Sequence, residues 1–235
     1  MKKNYLLAIL VCISLMAGCS RNLLLLMDSK LEQLEKQKSF VLMSMSFEDE
    51  ISKIESFYPR TLLFKINEDE KLHKLRFNSD KQIYTVLNDE KKTVLMVIEI
   101  DSGNYFFSSV RGIVFFNGSN FLSSGNNLFE APILLDFQIN ENEILYLGNI
   151  KLALRMKEVK SELRAGPITP LGGQKFVNSR TFDVKINDKY KRDIIEFEKI
   201  LPNLKVHSIE KKILHQWKRP TSKEFKPMKT HTYFF

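Results

Sequence analysis

The sequence predicts a mainly β fold, a single β-sandwich domain with an N-terminal signal and tether helix and one late amphipathic helix. Three observations carry that expectation. Apolar residues alternate with period two through most of residues 40–186, turn residues punctuate the runs, and a helical period returns once near 189–201. Many short strands with frequent turns and one late helix are the pattern of two packed sheets.

The strands follow in chain order. Thr61 to Asn67 sets Leu62, Phe64 and Ile66 on one face. Val94 to Ile98 is a continuous apolar run, as expected of a central strand covered on both faces. Tyr105 to Phe116 and Ile144 to Leu154 carry Gly112 and Gly148 as bulge or bend sites. Pro132 to Asn140 alternates most cleanly, with Ile133, Leu135, Phe137 and Ile139 against Leu134, Asp136 and Gln138. Thr181 to Asn187 repeats this with Phe182, Val184 and Ile186, and a short strand is expected near Val206 to Leu214. Asn117-Gly118 marks a hairpin, because both residues accept positive φ. Gly166 to Gly173 reads as a loop. In the late helix, Ile194, Ile195, Phe197 and Ile200 are expected to face the sheet, Lys191, Arg192, Glu196 and Lys199 to face water, and Pro202 to end it.

The N-terminus has a different composition. Lys2 and Lys3 precede an almost uncharged stretch from Tyr5 to Ala17, followed by Gly18 and Cys19. A basic start, an apolar core and small residues are the three parts of a secretory signal. The stretch falls short of the roughly 20 residues that a bilayer span requires. Residues 23–38 then alternate leucines with charged residues at helical steps, and this segment is expected to pack on the following domain.

Leu15-Met16-Ala17-Gly18-Cys19-Ser20 resembles a lipobox, the recognition element of bacterial lipoprotein precursors, with Met16 where that family prefers Leu. The resemblance implies cleavage between Gly18 and Cys19 and acyl chains on Cys19, whose thiolate is the nucleophile such a modification needs. It also implies attachment to the cell envelope, with Ser20 after the cysteine favouring the outer membrane over the inner. Cys12 would leave with the signal, so the mature chain would hold no disulfide. A second resemblance lies in Glu99-Ile100-Asp101-Ser102-Gly103-Asn104-Tyr105 and Tyr146-Leu147-Gly148-Asn149-Ile150. These stretches are similar to uncharacterised bacterial lipoproteins with an immunoglobulin-like or prealbumin-like sandwich. That family implies a glycine–tyrosine turn opening one strand and a Tyr-Leu-Gly strand in the core, and no catalytic residues.

The resulting division is a signal peptide over 1–18, a lipidated tether and helix over 19–39, a β-sandwich domain over 40–214, and a basic, partly disordered tail over 215–235. The formal net charge is +8. It is concentrated near the end, where 205–235 hold eight basic residues against Glu210 and Glu224, while 19–204 hold 26 of each sign. A cationic end of this kind is read as solvated, with an anionic lipid surface as the functional alternative. Nucleic acid is not expected as a partner of an exported chain.

No catalytic constellation is visible. His73, His207, His215 and His231 form no pair at metal-binding spacing, so no metal site and no cofactor is expected. Gly118-Ser119 and Ser124-Gly125 lack the frame of a nucleophile elbow, and Gly166 to Gly173 lacks the Lys-Ser or Lys-Thr of a phosphate loop. Glu48-Asp49-Glu50, Glu68-Asp69-Glu70 and Glu141-Asn142-Glu143 lack the twelve-residue frame of a calcium loop and read as charged turns. The expectation is a membrane-anchored, non-catalytic binding or structural module of the bacterial envelope, with an envelope protein as partner. The alternatives are a tethered hydrolase built on carboxylates and a subunit of an envelope assembly or transport system.

Overall fold

In the computed structural model, residues 28, 38–49, 54–66, 72–74, 82–86, 93–116, 127–165, 180–221 and 224 are described. Among the described residues, ten strands form two sheets in a mainly β arrangement, with one complete helix of eleven residues. Strand β1 (Lys38–Asp49) is the axis of the main sheet. It pairs antiparallel with β5 (Thr93–Asp101) on one side and parallel with β8 (Ile144–Met156) on the other. β4 (Gln82–Val86) borders β5. The far edge of β8 is shared end to end. β9 (Arg180–Asn187) covers its Asn149–Met156 half, and β10 (Ile209–Lys211) covers Ile144 to Tyr146. The second sheet is antiparallel in the order β3 (Leu72–Lys74), β2 (Ile54–Ile66), β6 (Gly103–Phe116), β7 (Asn127–Ile139).

Period two explains what each face of the main sheet buries. From β1, Val41, Met43, Met45 and Phe47 enter one cluster, shared with Leu63, Phe107, Val110, Ile133 and Phe137 of the second sheet. Phe40 and Leu42 enter a separate cluster on the opposite face, against the helix. The run Val94 to Ile98 divides in the same way, with Val94, Met96 and Ile98 on one side and Leu95 and Val97 on the other. A strand covered on both faces has no polar side to show, as its continuous apolar sequence predicts. Phe47 of the main sheet meets Phe129 of the second edge-on at 5.5 Å between ring centroids, and Phe182 meets both. Such pairs contribute about 0.5–1.5 kcal/mol beyond their buried area.

Two tight connections cross between the sheets. Asp101, Ser102 and Gly103 lead from β5 into β6, and Gly103 has φ +145, open only to glycine without strain. The Tyr105 hydroxyl donates back to the Asp101 carbonyl at 2.5 Å, closing the corner. Asn140 to Glu143 lead from β7 into β8, with Asn142 at φ 57 and the Glu143 carboxylate accepting the Asn140 N–H. Ser39 on β1 donates to the Asn140 carbonyl at 2.6 Å and fastens this turn to the main sheet.

Irregularities account for several departures from simple alternation. The pairing of β1 with β8 shifts between Leu42 and Ser44, which oppose Tyr146 and Asn149. The extra residue places a bulge at Leu147–Gly148, with Gly148 at φ +105. A Cβ there would lie 3.1 Å from the Asn187 carbonyl and 3.2 Å from Ile213, where β9 ends and just past the end of β10. Gly112, in contrast, pairs without a shift. The bulge of β6 falls at Ser108, and β2, uninterrupted there, puts Leu63 in the shared core while Phe64, also buried, is outside that cluster. The face expected to carry Leu62, Phe64 and Ile66 is thus not the one that supplies the shared core. In β7 the extra residue is Leu134, at φ 52, while Ile133, Phe137 and Ile139 keep their inward face.

The late helix, α1 (Tyr190–Ile200), ends where Pro202 begins a 3-10 turn (Pro202–Val206). Phe197 is buried, with Ile194 and Ile200 packed beside it, but Ile195 is 57% exposed. At 100° per residue Ile195 lies across the helix from Asp193 and Phe197, so the expectation that it faces the sheet is corrected. The chain beyond β10 stays on the body. Lys212 and Leu214 donate to Tyr146 and Leu147, Leu214 is buried, and Trp217 packs on the shared core. Trp217, in the expected tail, therefore packs against the body. Trp217 and Pro220 cover the β7–β9 edge. Helix 23–38 lies outside the described residues except for Asp28, which is helical, and β1 already begins at Lys38. The Asn117-Gly118 hairpin and the Gly166 to Gly173 loop also lie outside them.

Candidate functional site

Two arginine–carboxylate networks reach across several elements, beside a cross-strand pair of Arg111 and Glu130 in the second sheet. The first lies between α1 and the main sheet. Asp193 occupies the inward face of the helix, one turn before Phe197, and is 0% exposed. Its carboxylate accepts Ser44 Oγ at 2.5 Å, Tyr146 Oη at 2.6 Å and Arg192 Nε at 2.8 Å. Asn149 on β8 donates to Ser44 at 2.8 Å. Ser44 stands on the even-numbered face of β1, below Phe40 and Leu42, so the strand presents a hydroxyl where the helix presents its acid. Burial, then the hydrogen bond and charge of Asp193, push the Tyr146 hydroxyl well above the ordinary tyrosine range. It stays a donor, and every named partner gives the carboxylate a hydrogen. A buried carboxylate held by three donors is satisfied rather than reactive.

The second network lies at the β7–β9 edge. Arg155 on β8 donates to Asp183 at 2.7 Å and to Glu162 at 2.6 Å. Arg219 reaches Asp183, lies 3.8 Å from Glu162, and donates to Thr181 at 2.8 Å. Its guanidinium also stands 5.5 Å from the Trp217 ring centre. The Trp217 indole donates to the Pro132 carbonyl at 3.0 Å, and the Ala165 carbonyl accepts from Glu130. Together these contacts cap the outer edge of β7, which would otherwise offer backbone groups to another strand. Beside them a cleft lined by Leu163, Thr181, Phe182, Trp217 and Arg219 holds about 10 Å³ of open space, the room of one water.

This edge is also where two carboxylates meet. Arg155 holds the Glu162 carboxyl down to about 2, helped by the Glu158 N–H, and the guanidinium itself is raised by the same bond. A carboxyl ionised throughout the neutral range has no proton to give, so Glu162 is unsuited to the general-acid role of a glycosidase pair. Sequence reasoning did not find either network. The signal for the first was present, since an acid four residues before Phe197 falls on the apolar helical face, and Ser44 interrupts an apolar strand.

The residues singled out from sequence are distributed as follows. Gly18 and Cys19 lie outside the described residues, as do His231, the Glu68 to Glu70 cluster and the glycine loop. His215 is exposed and His207 half-buried at the end of the 3-10 turn, while His73 lies on β3. Glu48 pairs with Lys151 at 2.6 Å, and Glu141 to Glu143 form the β7–β8 turn. Among the described residues, no three His, Cys, Asp or Glu side chains are grouped to hold a metal ion. No helix among them is long and apolar enough to cross a membrane. Comparison with family models, curated proteins and solved structures found no match in any of the three.

Proposed function

We propose that the chain is a bacterial lipoprotein, anchored by acyl chains on Cys19, whose domain serves the envelope as a non-catalytic binding or structural module. The observation that carries this reading is the lipobox-like stretch Leu15 to Ser20, placed directly after a basic and apolar signal. Two acyl chains on one cysteine make an attachment stable where a single chain is reversible. The outer membrane is the proposed destination, by the Ser20 that follows Cys19. The two sheets around one shared cluster support an immunoglobulin-like or prealbumin-like sandwich, opened at Gly103 and Tyr105 as the family resemblance implies. The paired state of both carboxylate networks favours a module over a hydrolase. Replacing Cys19 by Ser tests the proposal. The variant should leave the membrane fraction and lose lipid labelling, and a variant still extractable only by detergent would overturn it.

A further inference from the structure

The helical layer carries a contact that bears on how an anchored domain would sit. Asp28 accepts the backbone N–H of Asn203 at 2.9 Å through Oδ1, and Asn203 Nδ2 donates to both the Asp28 carbonyl and Oδ2 at 3.2 Å. These bonds hold residue 28 to the 3-10 turn, on the side of the main sheet away from the second sheet. Asp28 lies nine positions after Cys19. The intervening chain reaches at most about 32 Å when fully extended and about 14 Å as a helix. For the second sheet to face the bilayer, the tether would first have to pass a helix layer and two sheets stacked about 10 Å apart.

The surface on that side has the composition of an interfacial face. Lys191, Ile195 and Lys199 recur at four-residue steps and share the outward ridge of α1. Beside them the 3-10 turn presents Lys205 and Val206, and Val206 is 80% exposed, the most of any large hydrophobic among the described residues. Of the exposed charged side chains over 188–212, six are lysines and two are acids, Asp188 and Glu210; Lys211 pairs with Asp188 and Lys199 with the half-buried Glu196. A second apolar patch, Met156 and Val159, is comparably exposed and also has lysines beside it, at Lys157 and Lys160. Only the α1 patch lies on the layer to which Asp28 is bonded.

We propose that the outward ridge of α1 and the 3-10 turn, comprising Lys191, Ile195, Lys199, Lys205 and Val206, is the face on which the domain rests against anionic lipid. This rests on the lipid-anchor reading above. Lysines draw the face to anionic headgroups while isoleucine and valine enter the boundary between headgroups and acyl chains.

The test uses the full chain, extracted from its own membranes and reconstituted into vesicles of equal parts phosphatidylglycerol and phosphatidylcholine. Single cysteines at Ile195→Cys, Val206→Cys and, as the matched control, Val159→Cys carry a nitroxide label. Labels at 195 and 206 should be several-fold less open to a water-soluble relaxation agent than the label at 159. Replacing Lys191 and Lys205 by Gln in the Cys19→Ser chain should lower its partition onto the same vesicles by about fivefold for each lysine. Equal accessibility at all three sites, with one label per chain, overturns the orientation alone. A second label on every chain shows a free Cys19 thiol and overturns the anchor reading together with the orientation. Shielding at 195 and 206 in native membranes but not on vesicles places a protein on this face and overturns the lipid assignment.

Discussion

The two arginine–carboxylate networks use the same chemistry in different surroundings, and the difference separates what holds the fold from what trims it. Around Asp193 the acid is wholly enclosed, and its partners Ser44 and Tyr146 are also buried. Around Asp183 the acid is 39% exposed and Arg219 is 28% exposed, above an enclosed Arg155–Glu162 pair, while in the first network only Arg192 reaches solvent. Water can replace a lost partner at the Asp183–Arg219 rim and has little access to Asp193. Removing one member of an enclosed network leaves the others desolvated and unpaired, whereas exposed ion pairs contribute only ~0–1 kcal/mol each.

The largest effect should come from the enclosed acid. Asp193→Ala removes the acceptor of the buried Ser44 and Tyr146 hydroxyls, and should lower unfolding free energy by about 3–5 kcal/mol. Chemical denaturation measures this, and Asp193→Asn, which keeps an acceptor, should recover part of the loss. Next comes the β7–β9 edge. Deleting 215–235 removes the packed Trp217 and its bond to Pro132, and should cost about 2–4 kcal/mol, read as a lower thermal midpoint. An unchanged midpoint would mean that the edge is closed without Trp217. Gly148→Ala should cost about 1–3 kcal/mol, because φ +105 is strained for any side chain and the new methyl would crowd the Asn187 carbonyl.

The smallest effect is electrostatic and depends on pH. The Glu162 carboxyl titrates near 2 in the folded chain, below its ordinary value, chiefly through the Arg155 hydrogen bond. A carboxyl lowered on folding contributes stability above its unfolded pKa and loses it as pH falls through the folded value. Wild type should therefore lose stability between about pH 5 and 2 more steeply than Glu162→Gln. Parallel curves would show that Arg155 gains nothing from this carboxylate.

These effects also mark how far the sequence is legible. Period two located β7 and β9 and their inward residues, because a half-covered strand writes its environment into every second position, and a continuous apolar run located β5. Bulges broke the same logic. Ser108, Leu134 and Leu147–Gly148 each shift the pairing, and only the glycine signalled its shift beforehand. Composition misled at the C-terminus, where the lysines drew attention from Trp217, Pro220 and Arg219, which pack on the body. The Asp193 network was missed because its three elements, β1, β8 and α1, meet only in the folded chain. Helical spacing placed Asp193 beside Phe197, but nothing in the sequence aligned it with Ser44 on β1, 149 positions away.

The same contrast bears on the proposed membrane face. If α1 is fixed as an integral layer by Asp193, its outward ridge is a rigid platform and Asp28 has a firm point to hold. Native-state hydrogen exchange tests that claim most directly. The α1 amides of Ile194 to Phe197 should exchange only through global unfolding, at the free energy measured for β1 and β8, and should lose that protection in Asp193→Ala. Opening of α1 at a free energy far below that of the two strands in the wild-type chain would contradict it.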